Sequence, residues 1–309
     1  MQQCLISLGA NLGNPRDTMR RAAIEIIDAT NAHAVRASQL YRTPPIGGPT
    51  GQGDFLNAVL ALETELEIQD LREALHAVEA KLGRHRQMRW EARPIDLDIL
   101  LYSNQRVWTS ELKIPHPRMA FRSFVIKPAA EIVPSWRDPV SQMTIGELAG
   151  VLEQVRSLVV LTSNSDEWLR NLSQSLSATL DPSTDQEHVI KYSDQVWIAV
   201  MPASETDCKL DSLNYILEKA RETSVEFGRP LAGILVSLAD VPGTIESPLS
   251  STLAWDDALN LTSNNTSSID FCGPRYLISP CNFDWAVHEI QASLDAMKCF
   301  VEPTGETLI

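Results

Sequence analysis

Short apolar runs alternate along the chain with longer stretches in which apolar residues recur every three or four positions, and these two periods mark out strands and helices. Residues 3–9 are an apolar run ending in the turn Gly9-Ala10-Asn11-Leu12-Gly13-Asn14-Pro15. A helix is predicted next, with Asn14 as N-cap, Pro15 at its first position and Met19, Ala22, Ala23, Ile26 and Ile27 on its apolar side. Residues 33–41 predict a second strand, followed by a Pro- and Gly-rich loop over 42–54. The strand expected over 55–64 carries Asn57 among apolar neighbours. A buried amide needs a partner, from the backbone or from a heterocyclic ligand. Leu71, Leu75, Val78 and Leu82 predict an amphipathic helix over 68–82, ended by Gly83. From Pro94 onward Asp alternates with Ile and Leu, which predicts a strand with Ile95, Leu97 and Ile99 in the core and Asp96 and Asp98 together on the other face.

In the second half the apolar runs 158–161, 196–200, 231–236 and 276–279 predict buried strands, alternating with helices near 166–180, 209–227 and 284–299. That βα alternation predicts an α/β domain with a partly parallel sheet. At 309 residues the length suits two domains, divided here as 1–157 and 158–309.

Charge sharpens the division. Residues 1–150 hold 17 Lys and Arg against 17 Asp and Glu, and residues 151–309 hold 9 against 23, so the whole net charge of −14 belongs to the second half. Such an acidic half excludes nucleic acid as its partner. Five cysteines, odd in number and without a C-x-x-C pair, indicate free thiols in a reducing compartment rather than a disulfide framework or zinc site. No apolar run approaches the roughly 18 residues of a membrane span, and the first residues lead straight into a strand, so the expected location is the cytoplasm, with no membrane partner.

Two carboxylates on one strand face repel, and the pair Asp96 and Asp98 calls for something cationic between them: a hard, oxygen-seeking ion such as Mg²⁺ or Ca²⁺, or arginine side chains. Arg84, Arg86, Arg89 and Arg93 precede the pair. Acids for a metal and arginines for bidentate contacts suit a metal-bound polyphosphate, while an edge strand with two solvated aspartates beside a basic loop would carry no function. Further on, His116, Arg118 and Arg122 cluster with Phe121 and Phe124, a set suited to an anion. The second half offers neither a P-loop nor a dinucleotide fingerprint.

The motifs Gly9-Ala10-Asn11-Leu12-Gly13, Tyr41-Arg42-Thr43-Pro44-Pro45, Asp54-Phe55-Leu56-Asn57, Gly83-Arg84-x-Arg86, Arg93-Pro94-Ile95-Asp96-Leu97-Asp98-Ile99-Leu100 and Pro115-His116-x-x-Met119 follow in the order found in 6-hydroxymethyl-7,8-dihydropterin pyrophosphokinases of folate biosynthesis. Over residues 1–155 the chain resembles that family. The resemblance implies a ferredoxin-like α+β domain and a Mg²⁺-dependent diphosphokinase that moves pyrophosphate from ATP to 6-hydroxymethyl-7,8-dihydropterin. It implies two Mg²⁺ ions on Asp96 and Asp98, with Arg84 and Arg93 on the transferred phosphates. ATP would meet Glu79, Arg86, Trp90, Ile99, His116 and Arg122, and the pterin would meet Thr43, Pro44, Ile46, Phe55, Asn57 and Phe124. Phe55 stands where some relatives have Tyr, which keeps a stacking face and loses a hydroxyl. A non-catalytic pterin or nucleotide sensor on the same fold is the alternative, against which the intact acids and arginines count. The acidic half, too short for a (β/α)₈ barrel of about 250 residues, is expected to serve homo-oligomerisation or partner docking.

Overall fold

The computed structural model describes residues 1–46, 51–83, 94–109, 111–154 and 283–309, together with short pieces between 156 and 277. Strand β1 (Gln2–Ala10) leads into helix α1 (Pro15–Ala29) as the sequence predicts. The Asn14 side chain accepts from the Asp17 N–H at 3.3 Å and Pro15 opens the first turn, so one otherwise unpartnered amide is satisfied and another is absent. The single strand expected over 33–41 is two, β2 (His33–Ala37) and β3 (Gln39–Thr43). Ser38 is the cause. Its hydroxyl accepts from the Val59 N–H at 3.0 Å, and the register against the next strand slips by one residue across it, from Ala37 opposite Leu60 to Tyr41 opposite Asn57.

Strand β4 (Phe55–Thr64), helix α2 (Ile68–Lys81) and strand β5 (Asp96–Tyr102) follow. Gly83, at φ +89°, takes the left-handed conformation that ends α2. The short pair β6 (Val107–Trp108) and β7 (Lys113–Ile114), a 3₁₀ turn over Met119–Phe121, and helices α3 (Ser123–Ile132) and α4 (Ile145–Glu153) complete the first stretch.

Beyond residue 155 the described strands are β8 (Arg156–Thr162), β9 (Thr179–Leu180), β10 (Val189–Lys191), β11 (Val196–Pro202), β12 (Leu231–Ser237) and β13 (Arg275–Leu277). Strand β8 pairs in parallel with both β11 and β12, and β12 in parallel with β13; β10 pairs antiparallel with β11 and β9. Of the helix expected near 166–180, residues 174–175 are helical and 179–180 belong instead to β9, while its remaining residues and the helix expected near 209–227 lie outside the described residues.

The last two elements depart from the expected division at residue 158. Helix α5 (Phe283–Lys298) and strand β14 (Glu302–Thr307) join the first sheet, not the second. That sheet runs β14-β3-β4-β1-β5, with β2 also on β4, and every pairing in it is antiparallel. Each face carries a core. On one face α1 and α2 pack Met19, Ile26, Leu71, Leu75 and Val78 onto Ile6, Leu8, Leu60, Leu97 and Ile99. On the other, the 3₁₀ turn, α3, α4 and α5 pack Phe121, Val125, Ile126, Leu148, Ile290, Leu294 and Met297 onto Leu5, Val59, Ala61 and Leu101. An apolar helix stripe is spoken for only once it meets an apolar surface, and the stripe of α5 meets this one. The first region is thus an antiparallel α+β layer structure that includes the chain's final residues. Among the described residues no helix is long and apolar enough to cross a membrane.

Candidate active site

Paired strands fix which side chains share a face. Asn57 on β4 lies opposite Gly9 on β1, and Gly9 lies opposite Asp96 on β5. Ser7 opposes Asp98, and Thr43 on β3 opposes Phe55. Thr43, Phe55, Asn57, Asp96 and Asp98 therefore project from one sheet face, the one that α3 and α5 cover further along. Beside that covered part opens a cleft of about 810 Å³. Pro44, Ile46, Ile99, Phe121 and Phe124 also line it, with Arg118, Arg122 and His116 on one side and Glu289, Ala292, Ser293 and Ala296 of α5 on another.

The strand carrying the two aspartates is an edge strand, and its outer edge is covered in a way that shapes the site. The Leu97 N–H donates to Glu79 Oε1 at 2.8 Å, and the Leu100 carbonyl accepts from the His116 N–H at 2.9 Å. Glu79 is only 3% exposed and lies behind the strand, outside the cleft lining. Its carboxylate holds the backbone between Asp96 and Asp98. The second bond brings His116 to the aspartates. Its Nε2 is 3.7 Å from Asp98 Oδ2, and an Arg122 guanidinium nitrogen is 3.8 Å from the same oxygen. The Arg118 N–H donates to His116 Nδ1 at 3.2 Å, which puts the ring proton on Nε2. Burial first, then the Arg122 and Arg118 charges, hold the His116 pKa well below its ordinary 6.5 against the opposing pull of Asp96. His116 is a neutral N–H donor beside Asp98, suited to an anionic oxygen.

At the other side of the cleft Asn57, 7% exposed, donates through Nδ2 to Thr43 Oγ1 at 2.9 Å. The partner that the sequence left open is a neighbouring hydroxyl, and it fixes the amide's orientation. Arg122 stacks over the Phe124 ring at 5.6 Å and so ties the charged end to the aromatic end. Arg84, Arg86, Trp90 and Arg93 lie outside the described residues. Asp96 and Asp98 offer hard carboxylate oxygens without sulfur or imidazole ligands between them, a donor set that fits Mg²⁺. Among the described residues no third acidic, His or Cys side chain joins them in a metal-sized group, which suits an ion whose remaining positions go to water and substrate phosphates. Arg118 falls in the His116, Arg118 and Arg122 cluster that the sequence offered for an anion, whereas nothing local in the sequence marked the α5 side chains as part of a site.

An antiparallel α+β domain with an acidic strand, a neutral histidine and arginines at one end of a cleft and a paired amide with aromatics at the other is built for a charged cosubstrate beside a flat polar one. Residues 5–134 match the family model for 7,8-dihydro-6-hydroxymethylpterin-pyrophosphokinase (HPPK). Among relatives, the 2-amino-4-hydroxy-6-hydroxymethyldihydropteridine pyrophosphokinase of Synechocystis sp. is 38% identical over 157 residues, 50% of this chain and 78% of that one. The enzyme of the same name from Pseudomonas aeruginosa is 40% identical over 139 residues, 45% of this chain and 85% of that one. The chain belongs to the HPPK family. A crystal structure of wild-type Plasmodium falciparum HPPK-DHPS with pteroate is similar at a TM-score of 0.39 and 10% identity, over 78% of this chain, which spans 63% of that one.

Proposed function

We propose that the chain transfers the terminal pyrophosphoryl group of ATP to the hydroxymethyl oxygen of 6-hydroxymethyl-7,8-dihydropterin, giving the pterin diphosphate and AMP. The observation that carries this reading is the meeting of Asp96, Asp98, His116 and Arg122 at one end of the cleft that holds Asn57, Phe55 and Phe124 at the other. In the reaction the pterin hydroxyl oxygen bonds to the β-phosphorus. The bond from that phosphorus to the oxygen bridging it to the α-phosphate breaks, AMP leaves with that oxygen, and the hydroxyl proton passes to solvent.

Such a transfer depends on positioning and on neutralising charge more than on covalent help from the protein. Two Mg²⁺ ions held by Asp96 and Asp98 would supply most of that neutralisation when bound. His116 donates its Nε2–H to the triphosphate, and Arg122 adds a fixed cation held between Asp98 and Phe124. Arg84 and Arg93 would take the transferred phosphates, and Arg86, Trp90 and Ile99 would contact the nucleotide. Phe55 and Phe124 offer faces to the pterin, Thr43 and Asn57 its hydrogen-bonding rim, and Pro44 and Ile46 its apolar edge. Phosphorus NMR of a reaction containing ATP, Mg²⁺ and the dihydropterin tests the reading. It predicts AMP and a pterin-bound diphosphate in equal amounts; ADP or free pyrophosphate as the phosphorus product would overturn it.

A further inference from the structure

The cleft has a wall that the family match does not reach. The match ends at residue 134, yet α5, from residue 283, places Glu289, Ala292, Ser293 and Ala296 in the cleft lining. These four positions follow the i, i+3, i+4, i+7 spacing of one helix face, while Ile290, Leu294 and Met297, one position on, enter the core with exposures of 0%, 0% and 1%. The helix is held at the C-terminal end of that face. Ser123 Oγ donates to the Met297 carbonyl at 2.9 Å, and β14 then pairs with β3, where Thr304 Oγ1 donates to the Leu40 carbonyl at 2.9 Å.

Glu289 is the charged member of the face, with a side chain 6% exposed. Its Oε2 lies 3.5 Å from an Arg118 guanidinium nitrogen. The backbone of Arg118 in turn holds His116 Nδ1, and His116 Nε2 faces Asp98. A carboxylate this deeply buried persists only beside a fixed cation, so the two side chains fix each other's positions. Ser293 braces the helix backbone under Glu289 by donating to the Glu289 carbonyl at 2.8 Å.

We infer that Glu289 is a positioning residue for the pyrophosphokinase site: from the far end of the chain it anchors Arg118, and through Arg118 it sets the segment that presents His116 to the triphosphate of ATP. The inference rests on the proposed function and adds to it a dependence of the ATP half-site on α5. Without the Glu289 carboxylate Arg118 loses the ion pair that ties it to α5, and the His116 segment loses that support; of the pterin half-site, Thr43, Phe55 and Asn57 sit on β3 and β4, and Phe124 on α3 lies against Arg122.

The test uses the full-length chain and reads KM for ATP and for the dihydropterin separately. Glu289→Gln keeps the side chain's shape and removes its charge, and is expected to raise KM for ATP by about tenfold, the scale of a lost charge-assisted contact, with KM for the dihydropterin changed by less than about twofold. Glu289→Gln combined with Arg118→Met leaves no unpaired buried charge, so it keeps the fold even if the single variant does not. The same rise in ATP KM is expected in it, and Glu289→Asp should recover part of the loss. An ATP KM at the wild-type value in the double variant, or a loss spread equally over both substrates, would overturn the inference. A wild-type chain without pterin-dependent AMP formation would instead overturn the function on which it rests.

Discussion

At the scale of single residues the account turns on which carboxylates face the cleft and which support it. Asp96, Asp98 and Glu79 are three acids within one site, and only the first two line the cleft. The alternation of Asp with Ile and Leu made the orientation of the first pair legible in the sequence, because a strand has a period of two and one apolar face. Glu79 was not legible in the same way. On a helix face it reads as a polar group next to a binding site, and only the pairing of strands shows that the Leu97 amide on an open sheet edge needs an acceptor there. The two roles predict different outcomes. Glu79→Ala leaves that buried N–H unsatisfied, which lowers stability to urea by about 1–3 kcal/mol, and it lowers activity through the displaced aspartates. A residue that merely contacted the nucleotide would raise the ATP KM with stability unchanged, and that result in paired denaturation and kinetic measurements would contradict the assignment.

At the scale of elements most of the first region could be read from periodicity. Strand β4, helix α2 and strand β5 fall where apolar spacing puts them, and the cap of α1 sits on the predicted Asn14. The break at Ser38 could not be read, since a bulge replaces a backbone bond with a side-chain bond and leaves the apolar pattern almost intact. Nor could the destination of α5. Its pattern predicts a helix with a buried face, and periodicity says nothing about which sheet buries it. In the structure Ile290, Leu294 and Met297 fill one core of the first sheet and Leu308 the other. Fully burying such side chains is worth about 1.5–3 kcal/mol each. Four of them amount to roughly the 5–15 kcal/mol by which a whole domain is stable. Ending the chain at residue 282 is therefore expected to abolish cooperative unfolding of the first region, seen as loss of its thermal transition by circular dichroism. A truncated chain with an unchanged transition would contradict the placement of α5 and β14.

At the scale of the whole molecule the sequence divides cleanly by charge, and the fold does not follow the same line. The acidic second half contains the β8–β13 strands, yet its last 27 residues close the sheet and wall the cleft of the near-neutral first half. A catalytic region assembled from both ends of the chain still has one chemical centre, the aspartate pair on β5. The most direct measurement is the rate of AMP formation by the full-length protein, with ATP, Mg²⁺ and 6-hydroxymethyl-7,8-dihydropterin each omitted in turn, beside the Asp98→Ala variant. The account predicts that AMP forms only with all three present and that Asp98→Ala lowers the rate by at least about 100-fold, the effect of removing a group that acts on transition-state charge, while its unfolding midpoint stays close to that of the wild type because the relieved repulsion from Asp96 offsets the lost attraction to Arg122. Near-normal turnover by a folded Asp98→Ala protein would contradict it.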